Sequence, residues 1–368
     1  MDAIRPAQIM QRWKAIQYEV LPGLGAEIGS LTPKLKRVIH VLEWARIEEF
    51  VSDSWSGTGR PPHTRAWLAN AFVAKAVLGI CTTVGLIERL TIDRALRRIC
   101  GFAPFSRLPS AATFSRAFGE FAEARLGERA HEALIREQLG DQLIGHISRD
   151  GTAIAARERP AGKPARQAAK KVAAEKKGRA RRSGEPAAGS PIRRQLAQTL
   201  PQMLAELPTA CDRGTKCNAQ GYKTSWNGYK LHIDTADCGV PVAAVLTSAS
   251  THDSRAAVPL SHLSKERVTN LYDLMDAAYC SKELHAHSRA LGHVPLIDHN
   301  PRGGEKEEFE PADAVRYRER SAAERTNARL KDEFGARFIM VRGHAKVMCH
   351  LMFGLLALSV DQLLRLRR

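Results

Sequence analysis

Apolar residues follow two rhythms along the chain. In TRAWLANAFVAKAVLGI (64–80) they recur at three- and four-residue intervals, as one buried helix face requires, and Pro61 and Pro62 upstream suit a helix start. The pattern continues over 84–99 as a second helix that ends before Gly101. In LPSAATFSRAFGEF, Ser110 is placed as an N-cap, and Phe114, Phe118 and Phe121 form an apolar stripe, predicting a further helix with its phenylalanines in the core. From residue 143 the rhythm changes. LIGHIS (143–148) predicts a buried strand running into Arg149 and Asp150. GYKLHIDTA (228–236) and VPVAAVLTSAS (240–250) predict a hairpin turning at Cys238 and Gly239. Then come a helix over 251–265, a strand NLYDLMD (270–276) ending on Asp276, a helix over 281–292, a strand over 294–300, and helices over 313–334 and 345–366. Strands in a meander followed by alternating helix and strand describe an α/β layered domain. The apolar run 347–360 is short for a bilayer and contains His350, so it is expected to be a buried helix.

Between these regions lies a segment with neither rhythm. RERPAGKPARQAAKKVAAEKKGRARRSG (157–184) holds eleven Lys or Arg against two Glu and predicts a mobile arm that contacts phosphates nonspecifically. Residues 192–207 predict a short helical excursion broken near Pro201. The whole chain of 368 residues carries a formal charge of +17, which favours a polyanionic partner, DNA or RNA above a membrane surface. No secretory leader is expected from the charged first 30 residues. Seven dispersed cysteines predict reduced thiols in a cytosolic protein, and Cys211 and Cys217 lack the spacing of a zinc site.

The chemistry concentrates in VRYRERSAAERTNARLKDEFG. On one continuous helix, Tyr317, Glu324 and Lys331, seven residues apart, return to nearly the same face, with Arg320 one turn before Glu324. Such a stripe is either a solvated face with i,i+4 ion pairs or one wall of a site that holds a cation and phosphates. Asp150 and Asp276, each expected at a strand end, favour the second reading, because sites in open α/β sheets gather there. Two strand-end carboxylates and one on a helix make a hard oxygen site suited to Mg²⁺ or Mn²⁺. Asp141 and Asp273 fit that geometry less well; Asp253 is expected to cap a helix, and Trp226 and Tyr229 serve equally as base-stacking or ordinary strand residues. Arg149, Lys223 and Lys230 flank the site as candidate phosphate contacts.

These residues resemble the DDE transposases of bacterial insertion sequences, in the broad IS-four/IS-five type. The family's Y-R-E-K motif is matched by Tyr317, Arg320, Glu324 and Lys331, its first aspartate by Asp150 in RDGTAI, and its second by Asp276 in DAAYCS, with Ala278 where glycine is usual. WNGYKLHID, TSASTHDS, GRPPHTRAWLANAFVAKAVLGI and LPSAATFSRAF extend the resemblance over roughly 58–366. The short interval between Asp276 and Glu324 leaves no room for the β-rich insertion that assists hairpin formation in some relatives.

The resemblance implies an RNase H-like catalytic core of 141–156 and 209–338, a helical N-terminal domain over 1–140 for DNA binding and assembly, a basic insertion over 157–208, and a C-terminal helix over 339–368 packing on the core. It implies catalysis and metal binding by Asp150, Asp276 and Glu324, with Mg²⁺ (Mn²⁺ substituting) in two ions, and phosphate contacts from Tyr317, Arg320, Lys331, Arg149 and Lys230. The expected partner is double-stranded DNA, held by a homodimer or larger assembly in the bacterial cytoplasm at the nucleoid, with no membrane. A catalytically silent DNA-binding regulator and a purely hydrolytic nuclease are the rival functions.

Overall fold

Thr32 opens α1 (Pro33–Ala45) by accepting from the Leu35 amide at 3.3 Å. This helix begins the described part of a computed structural model that covers residues 31–52, 63–103, 105–160, 190–217, 221–301 and 305–367. Most of the basic run, from residue 161 onward, lies outside the described residues. The chain divides into two units.

The first unit is helical. α2 (Arg65–Val77) carries the first apolar stripe. The single helix expected over 84–99 is two, α3 (Thr83–Ile92) and α4 (Arg94–Ile99), because Asp93 leaves helical geometry and caps the second by accepting from the Leu96 amide at 2.9 Å. Ser110 caps α5 (Ala111–Glu123). The buried Phe114, Phe118 and Phe121 surround Phe72 of α2 at centroid distances of 5.9, 4.8 and 6.3 Å. α6 (Leu126–Leu139) follows. The C-terminal helix His344–Leu366, expected on the core, belongs to this first unit from Ala345 onward, with Phe353 stacked on Phe72 at 6.2 Å. The helix is apolar all round, so it needs neighbours on every side, and the helical unit supplies them. It is long and apolar enough to cross a membrane, yet 83% of its most apolar window is buried inside the protein.

The second unit is built on a mixed sheet. Its strands are β1 (Leu143–Ala155), β2 (Asp212–Cys217), β3 (Lys223–Ala236), β4 (Pro241–Ser248), β5 (Thr269–Met275) and β6 (Val294–Ile297). The order is β2-β3-β1-β5-β6 with β4 on β3; β1 is antiparallel to β3 and parallel to β5. This mixed α/β arrangement is compatible with an RNase H-like core. Short helices α7 (Pro191–Gln195) and α8 (Leu200–Ala205) precede β2; Pro201 sits in the first turn of α8, where its missing N–H costs nothing, rather than breaking a helix. α9 (Ser254–Lys265) and α10 (Lys282–Ala290) follow β4 and β5. After β6 come α11 (Pro311–Tyr317), a 3₁₀ turn at Arg318–Arg320, and α12 (Ser321–Asp332).

Arg149 overturns its expected role as a phosphate contact. It is 3% exposed and faces Asp234, its cross-strand partner on β3, through Nε–Oδ1 and Nη2–Oδ2 hydrogen bonds of 2.7 Å each. Its Nη1 donates to Met275 Sδ of β5 at 3.5 Å, and Ser264 of α9 donates to Asp234 Oδ2 at 2.7 Å. Arg149 therefore joins the three central strands and cannot reach DNA. Asp273, a rival carboxylate, is likewise buried and accepts from Ser288 at 2.5 Å. Replacing Arg149 by Ala would strand the Asp234 charge in the core. The expected loss is about 3–5 kcal/mol of stability in urea denaturation; a loss below about 1 kcal/mol would refute this role.

Candidate active site

β1 does not end at Asp150 as the sequence pattern suggests. Residues 149–155 continue as strand because β3 pairs with them, from Arg149–Asp234 to Ala155–Gly228. The parallel pairing with β5 does stop there, at Arg149–Met275. The next residue on each chain is Asp150 and Asp276. The two carboxylates are thus neighbours beyond the carboxyl end of β5, where open α/β sheets place their sites.

Asp276 Oδ1 accepts from the Ala278 amide at 2.9 Å and caps the 3₁₀ turn Ala277–Tyr279. Ala278 is not among the residues with positive φ, so this turn does not require the glycine usual at its position. Asp150 Oδ2 accepts from Asn327 Nδ2 of α12 at 2.8 Å, and Arg320 Nη1 lies 4.0 Å from its Oδ1. Burial pushes the Asp150 carboxyl up to about 6; Arg320 offsets part of that rise, and the neighbouring Asp276 adds to it. Burial also raises Asp276, against the Ala278 amide and with the nearby Asp253 charge. Two crowded carboxylates whose ionised form is disfavoured are an oxygen donor pair that a hard divalent cation would relieve.

Glu324 is not brought into this pair. Its side chain is 59% exposed and accepts from Arg320 Nη2 at 2.6 Å, so Arg320 spans Asp150 and Glu324. Among the described residues no three His, Cys, Asp or Glu side chains stand together as a ready metal cage. The expected stripe is also interrupted: the 3₁₀ turn at Arg318–Arg320 separates Tyr317, at the end of α11, from Glu324 on α12, so seven-residue spacing no longer fixes a common face. Tyr317 is half-buried against Phe309 at 4.8 Å, and burial raises its phenol to about 12. Lys331 lies in the last turn of α12, in the segment that belongs to the helical unit.

A cavity of 540 Å³ opens beside the aspartates, lined among others by Asp150, Asp276, Asp253, Lys230, Lys216 and Trp226. Lys230 lies here as expected, but held: its Nζ donates to Thr251 O at 2.8 Å and pairs with Asp253 at 2.9 Å. Asp253 makes no side-chain cap on α9, contrary to expectation, because its carboxylate turns to Lys230 and to His232 Nδ1 at 3.6 Å. Burial lowers His232 to about 4 despite the pull of Asp253, so the imidazole is neutral. A Cβ on Gly151 would fall 2.8 Å from Asp253 Oδ1, which explains the glycine after Asp150. Asn327, Arg213 and Lys216 escape the sequence reading, and Asp253 is expected there first as a helix cap. The signals were the glycine of Asp-Gly-Thr, which leaves room for Asp253, and the polar, cationic run around Cys217.

Residues 206–360 match the family model of the transposase DDE domain, and residues 27–120 match a family described as a transposase domain. The chain belongs to the DDE transposases of insertion sequences. It is a metal-dependent phosphoryl-transfer enzyme acting on DNA. The DDE match begins after Asp150 and includes Asp276, Arg320 and Glu324. No curated relative matches the transposase.

The raised Asp150 carboxyl has a stability consequence. Its ionised form is penalised in the folded state, a penalty fully present above about 6 and relieved as pH falls toward the ordinary 3.8. Without divalent cation, Asp150→Asn is expected to stabilise the protein at pH 7 by on the order of 1–3 kcal/mol in urea denaturation, an advantage that fades toward pH 4. A pH-independent difference would refute the assignment.

Proposed function

We propose that this transposase binds the terminal inverted repeats of its element and cleaves and transfers DNA strands at Asp150, Asp276 and Glu324, on an RNase H-like core. The observation that carries this reading is the β1–β5 register, whose last pair is Arg149–Met275, so that Asp150 follows beside Asp276 in a chain matching the transposase DDE domain. Asp150 and Asp276 supply oxygen donors that would hold Mg²⁺ or Mn²⁺, and Glu324 would join them as the third ligand on leaving its pair with Arg320. When bound, two such ions activate the attacking oxygen and stabilise the leaving oxygen of a phosphodiester.

The chain's own residues do the rest. Asn327 fixes the Asp150 carboxylate from α12. Arg320, now between Asp150 and Glu324, presents a planar set of donors to a scissile phosphate. Lys230, anchored by Asp253 at the cavity wall, offers a fixed positive charge, and Tyr317 and Lys331 contact flanking phosphates. The charge of +17 supplies sequence-independent attraction to DNA. Two element ends must be joined together, so the working form is a dimer or larger on DNA, in the bacterial cytoplasm.

Asp150→Ala, Asp276→Ala and Glu324→Ala should each reduce Mg²⁺-dependent cleavage and strand transfer by more than about 100-fold while leaving binding to element ends intact. Normal cleavage and transfer in any of the three would sink the assignment of that residue. Asn327→Ala should cost about 10–100-fold in apparent divalent-ion affinity, read by titrating cleavage against Mg²⁺; an unchanged titration would remove Asn327 from the site.

A further inference from the structure

The ribbon formed by β2 and the first half of β3 has no core of its own. Its pairing runs from Asp212–Gly228 to Cys217–Lys223. Residues 213, 215–217, 221–225 and 227 are all exposed, so the ribbon buries little on either face. A two-stranded ribbon of this kind is marginal alone and must be held at its root. Asp212 provides one anchor, with Oδ1 accepting from the Ser250 amide at 2.9 Å and Oδ2 from Ser250 Oγ. Ser248 provides a second, its amide and hydroxyl donating to Pro208 O at 2.7 Å and Ala210 O at 2.6 Å. Trp226 lies against Gly214, where a Cβ would come within 2.5 Å of the indole, and its Nε1 donates to Tyr229 O at 2.9 Å. The anchored end is the wall of the Asp150–Asp276 cavity, which Arg213, Thr215, Lys216, Cys217 and Trp226 help to line.

Beyond Asp212 at its root, the charge on this ribbon is positive. Arg213, Lys216 and Lys223 are exposed and, among the described residues, have no salt-bridge partner, while Asp212 is engaged by Ser250. Thr215 and Ser225 add paired hydroxyls at 2.9 Å. Lys216 also lowers both active-site carboxyls through its charge. Strand alternation and the Cys217–Lys223 pairing put Arg213 and Lys223 on one face of the ribbon and Lys216 on the other, so cations stand on both sides of it.

We propose that the β2–β3 ribbon is a guide for the DNA backbone, with Arg213, Lys216 and Lys223 holding phosphates of the DNA that enters the cavity. Hydroxyls and cations on an exposed ribbon, with no buried donors aimed outward, suit backbone positioning rather than base readout. The inference rests on the cavity being the transposase active site.

The test uses the full-length protein, a 30-base-pair duplex of arbitrary sequence, and EDTA to prevent cleavage. Cys217, exposed on the ribbon, is a native reporter. Saturating duplex is expected to slow its alkylation several-fold, with modified peptides identified by mass spectrometry. The variant Arg213→Gln/Lys216→Gln/Lys223→Gln should bind more weakly, equally on two duplexes of unrelated sequence, with a log–log salt slope shallower by about 2.7. Lys216→Arg/Lys223→Arg should keep the wild-type slope. Cys217 reactivity unchanged by bound duplex, or an unchanged slope in the Gln variant with intact circular dichroism, overturns the ribbon's role while leaving the transposase reading in place. Protection by RNA or anionic vesicles but not by duplex DNA also overturns it. Wild-type protein that fails to bind duplex at all takes down the underlying reading instead.

Discussion

A slip of one residue in β1 would exchange Arg149 and Asp150, and neither could survive the exchange. Strand alternation sends adjacent side chains to opposite faces. Arg149 goes to the interior, where a bidentate pair with Asp234 on β3 and a contact with Met275 on β5 span three strands. Asp150 goes to the other face, toward Asn327 and Arg320. A buried guanidinium without its carboxylate is far costlier than the pair is favourable, so the interaction acts chiefly as a register lock. The Asp150–Asp276 pair depends on it. With Arg149 pinned opposite both Asp234 and Met275, the next step along β1 and β5 must place Asp150 beside Asp276.

That placement opposes stability. Burial disfavours ionisation of both carboxyls, Asp276 adds to this at Asp150 and Asp253 adds to it at Asp276, and the Arg320 guanidinium compensates only in part. The fold carries the conflict because the surrounding sheet over-determines the backbone, with the cross-strand partners of β1 fixed on both sides. Gly151 shows how tightly the local space is allotted: the absence of a single Cβ lets Asp253 approach β1 and hold Lys230 at the cavity wall.

Much of this was legible in the sequence, and the failures share a cause. The elements with strong period, the Phe114–Phe118–Phe121 stripe and the strands around Asp234 and Met275, lie where hydrophobic patterning puts them. Asp150 and Asp276 carried their own local signals, a glycine after one and a turn after the other. What patterning cannot give is pairing between distant segments. The apolar run 143–148 stops at Ser148, but β3 extends the strand to Ala155 and buries Thr152 and Ile154. Arg149 looked like a surface cation because no local feature announces Asp234, a residue 85 positions away. The 3₁₀ turn at Arg318–Arg320 likewise breaks a stripe that an ideal helix would have kept, and the C-terminal helix packs both on the preceding Leu330 and Phe334 and on the distant Phe72, which no local pattern announces.

The cations around the cavity divide by how they are held, and the division follows the needs of phosphoryl transfer. Lys230 is fixed by Thr251 and Asp253, and Arg320 by Glu324 close to Asp150. Charges locked in place lose little further entropy when a phosphate arrives, which is what a reacting centre requires. Arg213, Lys216 and Lys223 instead stand exposed on a ribbon anchored only at its root. Long exposed side chains adapt to any backbone at some entropic cost, and so suit a polymer that must enter in many sequences. On the proposed reading, held charge from the sheet and from the 3₁₀ turn serves where bonds change, and yielding charge on the ribbon serves where the strand is led in.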